Sequence, residues 1–133
     1  MNAEQCLRQG DLMGALQQLQ EQIRKEPANA KLRVFLFQLL AILGEWDRAL
    51  RQLDVAGSLE DQNLLMVQTY REAIRCEVLR EGVFSGKYSP MLFGEPNQWV
   101  ALLIEALKLD ANANFDQAMA FRNQALELAP TTV

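Results

Sequence analysis

The 133-residue chain contains no histidine. That absence removes the commonest general base, the usual catalytic triad geometry and any histidine-bearing zinc or haem site. Its two cysteines, Cys6 and Cys76, stand 70 residues apart with no Cys-x-x-Cys pair, so they cannot alone make a structural zinc site or a thioredoxin-type couple. With no basic cluster beside either, both read as small core residues and not as nucleophiles. Seven glycines never fall into a phosphate-loop spacing. Basic residues form no run longer than Arg24-Lys25, and 13 Lys plus Arg against 17 Asp plus Glu leave a net charge of −4, which disfavours nucleic acid. No stretch approaches the roughly 18 uncharged apolar residues of a membrane span. The opening Met1-Asn2-Ala3-Glu4-Gln5 lacks the basic-then-apolar plan of a signal peptide. These absences together predict a cytoplasmic protein with reduced thiols that binds no metal, cofactor, membrane or nucleic acid.

What is present favours helix. Half of the residues are hydrophobic and 23% are charged, the balance of a folded globular unit. Leu, Ala, Gln, Glu and Arg dominate, β-branched residues are sparse, and prolines occur only at Pro27, Pro90, Pro96 and Pro130, so the fold class expected is all-α. Shifting the chain by 34 residues lays Gly10 on Gly44, Ala15 on Ala49, Leu16 on Leu50 and Leu19 on Leu53. That is the period of tetratricopeptide repeats, each a helical hairpin. A third copy starts at Asn114 and closes at Pro130, with Ala118 one residue off two full periods after Ala49. The small residue of each copy (Ala15, Ala49, Ala118) lets two helices approach closely, and the bulky one ahead of it (Leu12, Trp46, Phe115) fills the space at the turn. Gly10 and Gly44 suit a left-handed helix stop, while Pro27 and Pro130 end the second helices.

Punctuation and periodicity place seven helices at about 3–9, 12–25, 29–43, 46–56, 61–83, 97–109 and 115–128. The expected domain is a single short right-handed superhelix over residues 1–133, with repeats at about 3–27, 29–57 and 97–130. The helix at 61–83, with Val67, Tyr70, Ile74 and Val78 at helical spacing, and the apolar, turn-rich loop at 84–96 are additions to that plan.

The helix at 29–43 is apolar around most of its circumference, broken by Lys31, Arg33 and Gln38, which marks a central helix packed on several sides. In such repeats the first helices line the concave surface. The phase set by Gly44 turns Lys31, Val34, Gln38 and Ala41 toward it, and the helix at 97–109 adds Val100, Leu103 and Leu107. A groove of this kind accepts an amphipathic helix or an extended peptide. Those leucines equally satisfy packing on the helix at 61–83 or on further chain. Trp46 reads as core, and Trp99 as either a packing anchor or a recognition aromatic. No acid, base, nucleophile or metal-ligand constellation stands out, so a non-enzymatic protein is expected.

Several segments go beyond repeat grammar. They are Ala-Lys-Leu-Arg-Val-Phe-Leu-Phe-Gln-Leu-Leu from Ala30, Leu-Gly-Glu-Trp-Asp-Arg-Ala-Leu-Arg-Gln-Leu-Asp from Leu43, Met-Val-Gln-Thr-Tyr-Arg-Glu-Ala-Ile-Arg-Cys-Glu from Met66, Val-Phe-Ser-Gly-Lys from Val83, and Pro-Met-Leu-Phe-Gly-Glu-Pro from Pro90 with Trp99 just after. Together they resemble the ImpE family, also called TagJ or SciE type, accessory proteins of bacterial type VI secretion systems. The resemblance implies an N-terminal tetratricopeptide-like domain, usually followed by a C-terminal domain that is not in these residues. It implies a cytoplasmic, non-enzymatic adaptor that binds a helical segment of the small contractile-sheath subunit, TssB, and through it is linked to the disassembly ATPase ClpV. The alternatives are a structural or self-association module, or a chaperone-like binder of another secretion component, both using the same faces.

Overall fold

A computed structural model describes residues 1–132, and among them every regular element is helical. The order is α1 (Ala3–Arg8), α2 (Leu12–Lys25), α3 (Ala30–Ile42), α4 (Trp46–Leu59), a short 3-10 turn (Asp61–Asn63), α5 (Leu64–Phe84), α6 (Gln98–Ala111) and α7 (Phe115–Leu128). The helices pair as hairpins, α1 with α2, α3 with α4 and α6 with α7, the tetratricopeptide-like architecture that the 34-residue period predicts. The chain divides into two compact units, Met1–Cys76 and the residues from Glu77 on, and α5 begins in the first and ends in the second.

Each hairpin turn is built by the same backbone device. Gly10 and Gly44 hold φ of 77° and 74°, the left-handed region. Around them the amide of Asp11 donates to the Cys6 carbonyl at 3.0 Å, and that of Glu45 to the Leu40 carbonyl at 2.9 Å, closing the last helical turn. The third hairpin makes the same bond from Asn114 to Leu109 at 2.8 Å, yet the left-handed residue is Ala113, with φ of 61°. Helix starts are capped locally as well. Asn2 and Gln5 form a reciprocal capping box at 2.9 and 3.0 Å, Asp11 accepts from the Gly14 amide at 2.8 Å, and Asn29 accepts from the Lys31 amide at 3.1 Å.

In the first unit Leu16, Leu19 and Ile23 of α2 meet Leu36, Leu39 and Leu40 of α3, Leu53 of α4, and Val67 and Ile74 of α5. Leu19, Leu39, Leu40 and Leu53 are the largest fully buried side chains, each contributing about 2 kcal/mol of burial. Ala15, Ala49 and Ala118 are all completely buried, so the small residue of each repeat stands at a close helix contact. Gly57 of α4 does the same job against α5, since a Cβ there would lie 3.0 Å from Val67 Cγ2. Tyr70 tilts against Phe37 at 5.4 Å between ring centres, and Arg71 pairs with Asp54 at 2.5 Å.

In the second unit the buried residues are Gly82, Ala106, Ala118 and Ala125, so α6 and α7 meet through small residues, with the leucines of α6 half-buried and Leu126 and Leu128 of α7 exposed. Asp110 and Arg122 form an ion pair across this hairpin.

Several sequence expectations need correction. Phe115 does not fill its turn: it is 61% exposed. Leu12 and Trp46, at the matching places, are half-buried against the large apolar core of the first unit, whereas the alanine-built second unit offers no such floor. Cys6 is buried, but Cys76 is exposed, because it follows the buried Ile74 by two residues and so sits about 200° around α5 from it. Tyr70 and Val78 are close to half exposed, which leaves Val67 and Ile74 as the fully buried residues of that apolar spacing.

Candidate functional site

The α3 surface follows from how α3 is buried. Leu36, Phe37, Leu39 and Leu40 take the packed sides, so the rest of the circumference is left to Lys31 and Gln38, which are exposed, and to Val34 and Ala41, which are half-buried. At 3.6 residues per turn these four share one face of α3. Lys31 and Val34 also border a hollow of about 260 Å³, completed by Glu60, Gln62 and Asn63 at the 3-10 turn and by Met66 of α5. Its polar rim is held in shape by two bonds. Gln62 Nε2 donates to Glu60 Oε2 at 2.7 Å, and Asn63 Nδ2 donates to the Ala56 carbonyl at 3.3 Å. Met66 supplies an adaptable apolar wall of the kind suited to a foreign side chain. Gln38 and Ala41 lie further along α3, outside the lining of that hollow.

The second surface is on α6. Val100, Leu103 and Leu107, spaced three and four apart, form one stripe, and all three are half-buried. Trp99 is half-buried too, and with Asn97, Gln98, Leu128 and Pro130 it borders a shallow hollow of about 390 Å³. It is therefore a partly open aromatic at the start of α6 and not a core residue. Between α5 and α6 the chain runs through the apolar loop, where Met91 is 86% and Phe93 97% exposed.

Two features escaped sequence reasoning. The exposure of Met91 and Phe93 has no sequence signal, since both look like core residues by type. The other is a hollow of about 330 Å³ in the first unit, bordered by Arg24 of α2, Arg33 of α3 and Arg48 and Arg51 of α4. These arginines are scattered along the chain and form no basic run. Only the stacking of three helices collects them.

Among the described residues no polar or charged side chain is buried, no group of three Cys, Asp or Glu side chains is placed to hold a metal ion, and no helix is long and apolar enough to cross a membrane.

No protein-family model matches the chain. Compared with known proteins, it is 52% identical over 130 residues to the type VI secretion system accessory component TagJ of Pseudomonas aeruginosa. That match takes in 98% of the chain but 46% of the relative, so the chain spans a little under half of that protein's length. At this level of identity, over the stretch it shares with that protein, the chain belongs to the TagJ, or ImpE, family.

Proposed function

We propose that the chain is a non-enzymatic adaptor of a type VI secretion apparatus, and that it holds a helical segment of the small sheath subunit, the TssB type, on the α3 face of Lys31, Val34, Gln38 and Ala41, while Val100, Leu103 and Leu107 form a separate candidate surface on α6. The observation that carries the reading is the 52% identity to a protein named as an accessory component of that apparatus. Two structural features support it. The α3 face combines a cation, an amide and short apolar side chains beside a Met66-walled hollow, which suits an amphipathic helix with its apolar side inward. The α6 stripe offers half-covered leucines, each able to yield about 1 kcal/mol or more on further burial. Linkage to the disassembly ATPase ClpV runs through the sheath subunit in this reading.

Calorimetric titration of synthetic helices from the small sheath subunit into the chain tests it. Saturable binding is expected, weakened about tenfold by Lys31→Glu with the circular dichroism spectrum unchanged, because Lys31 is exposed. Heatless titration with well-folded protein removes the reading. A second reading, a self-association module, draws on the exposed Met91 and Phe93. Sedimentation over a concentration series decides it, and a constant monomer mass rejects it.

A further inference from the structure

The arginine-lined hollow lies on the other side of α3 from Lys31 and Val34. Arg33, Leu36 and Leu40 border it, and by the helical period they sit roughly opposite Lys31, Val34, Gln38 and Ala41. Its floor is apolar: Ile23, Leu36 and Leu40 are buried. Its rim carries four guanidinium groups with Gln20 and Gln52, and no carboxylate borders it. In a chain of net charge −4 this is a concentration of positive charge against the overall trend.

The four arginines are not equally committed. Arg33 is anchored, with Nε and Nη2 donating to the Pro27 carbonyl at 3.3 and 3.2 Å and Nη1 donating to Gln52 Oε1 at 3.0 Å. Arg48 pairs with Glu45 at 3.3 Å. Arg24 and Arg51 are exposed and have no carboxylate partner among the described residues. Elsewhere the ion pairs run Arg71 to Asp54, Arg75 to Glu72, Arg80 to Glu77, Lys108 to Glu105 and Arg122 to Asp110. The fork of an arginine matches a carboxylate in two parallel bonds, and like charges gathered in one hollow favour an anionic occupant.

We propose that this hollow is a second docking site, which takes an acidic amphipathic peptide segment of a partner protein: carboxylates on Arg24 and Arg51, and an apolar side chain on the Ile23, Leu36 and Leu40 floor. The size agrees, since about 330 Å³ is at the lower end of the range of ligand pockets and fits a few side chains. The floor selects a peptide over a free anion. A hydrated phosphate meets the rim alone, whereas a leucine flanked by glutamates also reaches the narrow edges of Ile23 and Leu36 that stay open, 7% and 5% exposed. The site is independent of the α3 face assigned to the sheath helix.

Fluorescence anisotropy with a labelled peptide repeating Glu-Leu-Leu-Glu, titrated with the whole chain, tests the proposal. The expected result is saturable binding that weakens with added salt, and at least about tenfold weaker binding of the matching Gln-Leu-Leu-Gln peptide. The double variant Arg24→Gln, Arg51→Gln should lose about tenfold in affinity with its helicity intact, because neither guanidinium supports the fold. Lys31→Glu should leave this binding within about twofold while weakening the sheath helix, which separates the two sites. Equal binding of both peptides, or undiminished binding by the double variant, overturns the proposal. So does displacement of the peptide by inorganic phosphate at matching concentration, the mark of a bare anion site. A mass that rises with concentration in the parent chain and not in the double variant would assign the hollow to a second copy and likewise overturn it.

Discussion

The three hairpin turns allow backbone strain to be separated from packing. Gly44 ends α3 with φ of 74°, and a Cβ built there meets no atom within 4 Å. Gly44→Ala therefore introduces no clash, and its cost is the left-handed backbone itself, about 1–2 kcal/mol for a residue with a Cβ. Alanine also loses less freedom than glycine on folding, which offsets about 0.4–1 kcal/mol of that. The net expectation is a destabilisation of about 1 kcal/mol. The third hairpin runs the experiment in reverse, because Ala113 already occupies the left-handed position at φ of 61°. Ala113→Gly should relieve the same strain and stabilise by up to about 1 kcal/mol. Urea unfolding followed by far-ultraviolet circular dichroism measures both, with unchanged slopes required for comparison. Amide hydrogen exchange should place the first effect in residues Met1–Cys76 and the second in the residues from Glu77 on. If Gly44→Ala stabilises, or Ala113→Gly destabilises, the left-handed turn is not the element that these residues serve and the reasoning fails.

Other outcomes follow from the same contacts. Leu53→Ala empties a fully buried place and should cost about 2–5 kcal/mol in urea unfolding, against less than about 1 kcal/mol for Leu65→Ala, whose side chain is 77% exposed. Asp11→Ala removes the acceptor of the Gly14 amide and should cost about 1 kcal/mol, readable as a lower midpoint. A thiol reagent such as Ellman's should titrate Cys76 promptly in the native protein and reach Cys6 at the rate of opening, so two fast thiols would contradict the burial of Cys6. Gly57→Leu, forcing a large side chain toward Val67, should destabilise by about 1–3 kcal/mol by the same unfolding assay.

Much of the fold was legible because its cues are local. The bounds of α2 and α7 at residues 12–25 and 115–128 agree with the positions expected from punctuation, since a cap or turn residue at one end and a proline just past the other act within a few residues. The 34-residue repeat exposed the hairpins because each must bury a small residue at the same phase, and Ala15, Ala49 and Ala118 all do so. The third turn was harder to see, as Ala113 gives no glycine signal where its backbone goes left-handed. The end of α4 was also missed by three residues, since helix continues through Gly57 where packing against Val67 outweighs glycine's poor propensity.

The candidate surfaces divide along the same line. From sequence alone, with no histidine and no grouped ligands, the expectation is a holder of other proteins, and the repeat phase puts Lys31, Val34, Gln38 and Ala41 on one side of α3. Tertiary structure decided what periodicity cannot carry, namely which faces are already covered. Phe115 and Cys76 are exposed although their types suggest core, because burial depends on what the neighbouring helix brings and not on the residue's own hydropathy. Arg24, Arg33, Arg48 and Arg51 became one site for the same reason: they are distant in the chain, and only the packing of α2, α3 and α4 puts their charges around one apolar floor.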